Sequence, residues 1–124
     1  NAVVIGAPLL DMKRYNKLLA GASWMDEYGN PDVPADWEFI RKYSPYQNVK
    51  KDVKYPEPFF ITSTKDDRVH PGHARKMAAK MIGMGHPVLY HETIKGGHGA
   101  ASTNAQEAER WALMYTYLRM KLGK

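Results

Sequence analysis

Two loops of this chain hold the residue types that acid–base chemistry needs. The first is Ser63–His70, which contains two adjacent carboxylates, Asp66 and Asp67, followed by Arg68 and Val69. The second is Ile94–Ala100, where His98 stands between glycines in Gly96-Gly97-His98-Gly99. Phe59–Thr62, a short apolar run, precedes the first loop, and an amphipathic helix begins after Pro71-Gly72, so the carboxylates lie in a strand-to-helix connection. Val88–Thr93 has strand character and leads into the second loop, ahead of the last helix. Open α/β sheets gather functional groups at such places. If the two strands are parallel neighbours, Asp66 or Asp67 can meet the His98 imidazole, forming the orienting half of a Ser-His-Asp triad. Taken singly, each loop has a plainer reading: an aspartate before a helix is often an N-cap or turn former, and a histidine among glycines can be a solvated turn. The combination, in the order strand, loop, helix, strand, loop, helix, carries the chemical reading.

The elements that must position these loops follow from pattern. Ala2–Ala7 is a continuous apolar run suited to a strand buried on both faces of a parallel sheet. Leu9–Leu19 has apolar groups at Leu9, Met12, Tyr15, Leu18 and Leu19, which predicts a helix. Ala22–Pro34 is aromatic and turn-rich, and a short helix is expected over Trp37–Tyr43 with Asp36 as its cap. In the helix after Gly72, Ala74, Met77, Ala78, Met81 and Ile82 form the packing stripe. Asn104–Leu122 is the clearest helix, with Ala108, Trp111, Ala112, Tyr115, Leu118 and Leu122 as its predicted buried face. The fold class is α/β, with about three parallel strands and covering helices.

Composition narrows the classes. The 124 residues are 44% apolar, enough for one domain or part of one with a modest core. No apolar run approaches the roughly 18–20 residues of a membrane-spanning helix. Cysteine is absent, which excludes disulfides, a thiol nucleophile and Cys-based zinc sites. The net charge of +5 is spread among acids, and the densest basic cluster, Lys50–Lys54, reads as a solvated loop rather than a nucleic-acid site. His70 and His73 flank Pro71-Gly72 at a helix start, and no metal or other cofactor is expected. The compartment, cytoplasmic or periplasmic, is not encoded in these features.

Leu10-Asp11-Met12, Ala22-Ser23-Trp24, Glu27-Tyr28-Gly29, Lys42-Tyr43-Ser44-Pro45, Asp66-Asp67-Arg68-Val69 and Gly96-Gly97-His98-Gly99 together resemble the C-terminal part of the peptidase domain of the prolyl oligopeptidase family of serine peptidases, which are α/β-hydrolases. The resemblance implies that Asp66 is the triad acid, with Asp67 holding the loop through hydrogen bonds, and that His98 is the general base. It implies that Trp24 and Tyr28 line the pocket for the residue before the cleaved bond. Arg68 would bind a carbonyl of the substrate backbone, and Val69 and Leu9 would add apolar walls. The family often has a smaller residue where Leu9 stands. The nucleophile is missing from this pattern: an α/β-hydrolase carries its serine in a Gly-x-Ser-x-Gly elbow, and Ser23, Ser44, Ser63 and Ser102 lie in no such context.

The chain is therefore expected to be a C-terminal fragment, residues 1–124 of a peptidase domain, with the elbow and the family's β-propeller upstream. The expected function is hydrolysis of oligopeptides, after proline, through an acyl-enzyme. The partners are a peptide substrate and the rest of the peptidase chain, with neither nucleic acid nor membrane. Alternatives are an acylaminoacyl or dipeptidyl peptidase, an esterase of the same fold, or a non-catalytic fragment. The isolated chain is expected to be inactive and to form a homodimer through the free edge of its first strand.

Overall fold

The computed structural model describes residues 1–123. Three strands, β1 (Val3–Gly6), β2 (Pro58–Ser63) and β3 (Leu89–Thr93), form one sheet in the order β1-β2-β3, all parallel. The parallel orientation fits the connections: each strand is separated from the next by a long crossover, which parallel neighbours require. β2 is central and every one of its residues is buried. Its alternation sends Phe60 to one face, against Leu10, Val49, Met77, Ala78 and Met81, and Phe59 and Ile61 to the other, against Tyr117. Truncating a ring as enclosed as Phe60 costs about 3–5 kcal/mol.

Between the strands lie α1 (Met25–Tyr28), α2 (Pro34–Ile40), α3 (Pro45–Asn48) and α4 (Gly72–Gly83), and α5 (Asn104–Leu122) follows β3. α4 buries Ala74, Met77, Ala78 and Met81, whereas Ile82, placed on the same stripe from the sequence, is exposed. The N-terminus of α5 is closed by a reciprocal cap. Thr103 Oγ1 accepts from Gln106 N at 3.3 Å, and Gln106 Oε1 accepts from Ser102 N at 2.7 Å.

Three local expectations fail, each for a physical reason. The helix predicted over Leu9–Leu19 does not form. The Leu10 carbonyl, which a helix would pair with Arg14 N–H, accepts from Tyr46 N at 3.0 Å instead, and distant side chains hold the start of the segment: Leu10 and Asp11 N–H donate to His73, and Met12 N–H to Ser44. What remains are i to i−3 turns at Tyr15–Lys17 and Leu19–Trp24, with Leu19 held at φ 50°. A Cβ at Gly21 would overlap the Tyr15 carbonyl, so the close turn there needs glycine. The second failure is the Trp37–Tyr43 helix. It starts earlier, with Pro34 in its first turn and Val33 as N-cap; the Asp36 carboxylate instead accepts from Asn30 N at 2.8 Å.

The third failure is the buried face of α5. Trp111, Tyr115 and Leu122 are exposed, with the Trp111 and Tyr115 rings stacked 5.6 Å apart, while Leu113, Met114, Tyr117 and Leu118 pack on the sheet. This helix is apolar on two sides, so periodicity could not choose between them. A hydroxyl chose. Counting back along the ladder from the Ala7 N–H···O=C Ile61 bond, Val3 N–H should meet the Glu57 carbonyl. The Tyr117 hydroxyl sits in that rung, accepting from Val3 N at 3.1 Å and donating to Glu57 O at 2.5 Å.

Candidate active site

Because the three strands run the same way, the segments that leave their C-terminal ends emerge at one edge of the sheet. The loops after β2 and β3 are tied together there. Thr64 N donates to Thr93 O at 2.9 Å, and Ser63 Oγ donates to Gly96 O at 2.8 Å. Gly96 has φ +80°, and a Cβ there would come within 3 Å of the Ala101 backbone, so the turn that presents His98 requires glycine at that position.

The structure brings Asp66 and His98 together. His98 Nδ1 lies 3.0 Å from Asp66 Oδ1 and 2.9 Å from Oδ2. Asp66 Oδ1 also accepts the backbone N–H groups of Arg68 and Val69, each at 2.9 Å. The Asp66 side chain is fully enclosed, and 38% of the His98 side chain is open to solvent. A carboxylate already accepting two N–H groups is matched by a donor, so the ring proton belongs on Nδ1 and Nε2 is left as the acceptor. Asp67 is exposed and, among the described residues, makes no side-chain hydrogen bond or ion pair. The loop-holding role expected of Asp67 is thus performed by Asp66 itself.

Leu9, Trp24, Tyr28 and Val69 line one cavity of about 190 Å³, together with Glu27. Trp24 ends the turn Leu19–Trp24 and Tyr28 ends α1, and this aromatic segment is fixed from below. Tyr15 meets the edge of Tyr28 at 5.9 Å and donates to Gly29 O at 2.5 Å, over a small core of Met12, Tyr15 and Ile40. Ala20 N donates to Arg68 O at 3.3 Å, joining the aromatic segment to the acid loop. The Arg68 side chain is exposed and makes no side-chain hydrogen bond among the described residues. His98 borders a second cavity of about 240 Å³ with Gly6, Ala7, Gly99 and Ala100, at the end of β1. An apolar cavity of about 370 Å³ lies beside β1 and contains none of these residues.

The model of the prolyl oligopeptidase family matches residues 1–124, the whole sequence. The chain belongs to the prolyl oligopeptidase family. It is 58% identical over 122 residues to an uncharacterized peptidase of Sinorhizobium fredii, covering 98% of this chain and 17% of that protein. It is 36% identical to a prolyl endopeptidase of Elizabethkingia miricola, covering 95% of this chain and 17% of the relative. Among solved structures, a post-proline cleaving enzyme from Rickettsia typhi superposes with a TM-score of 0.93 at 35% identity, over 99% of this chain and 18% of that one. The chain thus spans less than a fifth of the length of the relatives it matches. Its three parallel strands and helices are part of the α/β-hydrolase sheet of the prolyl oligopeptidases.

Two polar clusters beside this candidate site were not singled out from the sequence. In one, Glu92 on β3 accepts from both Nε (2.9 Å) and Nη2 of Arg75 on α4, from Thr64 Oγ1 (2.6 Å) and from the Tyr90 hydroxyl (2.5 Å). The Arg75 hydrogen bonds, with help from Thr64 and Tyr90, bring the Glu92 carboxyl down to about 2. Thr64 stands two residues before Asp66, so this cluster braces the acid loop. In the other, the Asp11 carboxylate is wholly enclosed. Burial alone would raise its pKa, but hydrogen bonds from Lys76, Gln47 and Arg14 and the Lys76 charge lower it. Periodicity and loop motifs are blind to both clusters, since their members come from separate segments. Glu27 was part of the motif that carried the resemblance, and only the folded chain puts it at the cavity.

Proposed function

We propose that this chain supplies the acid, the base and part of the substrate pocket of a serine peptidase that cleaves oligopeptides after proline through an acyl-enzyme. On this reading residues 1–124 are the C-terminal part of the peptidase domain, and the serine elbow and the β-propeller lie in chain outside them. The observation that carries the reading is the enclosed Asp66 carboxylate on His98 Nδ1, which leaves Nε2 free to act. The names of the Elizabethkingia and Rickettsia relatives, both post-proline enzymes, support the choice of proline.

Each residue then has a step. His98 Nε2 takes the proton of the attacking serine hydroxyl and returns it to the leaving amine; in the second half-reaction it takes a proton from water and returns it to the serine. Asp66 keeps the imidazole in the required tautomer and stabilises the imidazolium while it is charged. Trp24 offers a flat apolar face to a pyrrolidine ring, with Leu9, Tyr28 and Val69 as the remaining walls. Arg68, exposed beside Val69, has the planar fork to donate two hydrogen bonds to a peptide carbonyl. No cofactor enters these steps.

The test is a pair of substitutions in the full-length peptidase, assayed on a chromogenic peptide with proline before the scissile bond. Asp66→Asn is expected to lower kcat by on the order of 10⁴, because the amide favours the wrong histidine tautomer. Asp67→Asn, changing an exposed carboxylate that has no side-chain partner among the described residues, should stay within about tenfold of the parent. Equal losses in the two variants would refute the assignment.

A further inference from the structure

His73 lies in the first turn of α4, outside the triad and the pocket, yet it is 1% exposed and its ring is engaged at one atom by two donors. Asp11 N lies 3.0 Å and Leu10 N 3.4 Å from His73 Nδ1. Two backbone N–H groups converging on one ring nitrogen require that nitrogen to be unprotonated, so the ring proton is on Nε2. Burial, with the Lys76 and His70 charges, drives the imidazole down to about 4 against the opposing pull of Asp11. The neutral ring is thus the native form at neutral pH.

The two residues it holds directly follow Leu9, a wall of the pocket. Their segment has no helix or strand of its own, and its next donor, Met12 N, is also held by a side chain, Ser44 Oγ at 3.1 Å. At its other end, His73 N donates to His70 O at 3.0 Å, and His70 closes the loop that begins at Asp66. One side chain therefore joins the segment bearing the pocket wall to the helix that leaves the acid loop.

We infer that His73 is a positioning residue for substrate selection: its ring nitrogen fixes the Leu9–Asp11 segment, and with it the Leu9 wall, in register with the loop that carries Asp66. The inference rests on the reading of the Leu9, Trp24, Tyr28 and Val69 cavity as the proline pocket. Loss of the acceptor leaves two enclosed N–H groups unsatisfied, and the irregular segment moves to find partners, taking Leu9 with it. The chemistry at His98 is not touched.

The test uses the full-length peptidase, a proline peptide and a small activated ester that does not need the pocket. His73→Leu removes the acceptor at similar bulk; it is expected to raise KM for the peptide about tenfold and to leave kcat for the ester within about twofold. His73→Asn, whose side-chain oxygen falls close to the position of Nδ1, should recover the peptide KM to within about threefold. Equal losses on both substrates, or Asn behaving like Leu, overturn the inference. Should His73→Leu fail to fold, His73→Gln misplaces the acceptor by one bond and should show the same split at about threefold, vanishing in a Leu9→Ala background. Persistence of the full effect in that background overturns it as well. A Trp24→Ala variant in the same series separates the two readings. If it leaves proline selectivity unchanged, the pocket reading has failed. If it abolishes selectivity while the His73 variants show no split, only the role of His73 has failed.

Discussion

Glu92→Gln should make the chain less stable at neutral pH and nearly indifferent to the substitution in strong acid. The carboxyl is drawn from its ordinary value of 4.5 to about 2, chiefly by the hydrogen bonds from Arg75. A fall of that size corresponds to about 3 kcal/mol. Solvent reaches 48% of the Arg75 side chain and 15% of Glu92, and screening reduces the expected effect to about 1–2 kcal/mol. Between the two values the unfolded chain binds the proton that the native chain refuses, so stability rises with pH across that window. The contribution is complete above 4.5 and is lost as the pH falls through about 2. More than half of it should be gone by about pH 3. Urea unfolding followed by circular dichroism, for parent and variant at pH 7, 4.5 and 3, measures the difference. Protein concentration must be fixed, because self-association would shift the midpoint. Asp11 and other carboxyls contribute to the acid limb of both proteins and cancel in the comparison. A difference of the same size at pH 7 and pH 3, or none at pH 7, would refute the reasoning, since either result would mean that the ionised carboxylate is not what the Arg75 contact stabilises.

Trp24→Ala in the full-length peptidase should lower kcat/KM for a proline peptide by about 10–100-fold and change turnover of a small activated ester much less, because the indole supplies shape to one side chain and moves no proton; equal losses would make Trp24 a packing residue. The isolated 124-residue chain should show no peptidase activity, since none of its serines lies in an elbow, and activity in the pure chain would contradict the proposed division of the triad. It should also self-associate: among the described residues β1 pairs only with β2, and its outer edge, flanked by an apolar cavity, carries no charge or proline to discourage pairing. Light scattering that finds a monomer at micromolar concentration would refute that edge argument.

The sequence was legible where one local rule decided the outcome. β2 is a short apolar run between Pro58 and a polar loop, and the strand–loop–helix order of Phe59–Gly83 and Val88–Leu122 put the loops of Asp66 and His98 at one sheet edge. Where a distant side chain decided, pattern misled. Leu9–Leu19 has a helical spacing of apolar groups, but Tyr46 N takes the Leu10 carbonyl that a helix would pair with Arg14, and His73 and Ser44 hold the N–H groups of Leu10, Asp11 and Met12 from 32 to 63 positions away. α5 offered two apolar faces, and the Tyr117 hydroxyl selected one by completing a rung between Val3 and Glu57. Asp66 and Asp67 were distinguished only by the resemblance. In the folded chain they separate because one carboxylate turns inward onto Arg68 N, Val69 N and His98 and the other faces water.

The strand order repeats the order of synthesis, and that gives the molecule a direction in time. β2 leaves the ribosome with β1 already made, and β3 leaves with β2 already made, so each strand meets a finished partner on one side. The turn that Arg68 N and Val69 N close on Asp66 can form before His98 has been translated, and its ties to Thr93 and Gly96 follow with β3. The opposite end of the sheet has to wait. Its first rung between β1 and β2 is completed by a hydroxyl near the end of α5, 114 residues after Val3. A nascent chain therefore gains the framework of its chemistry at one edge while the other edge still lacks a bond that α5 supplies.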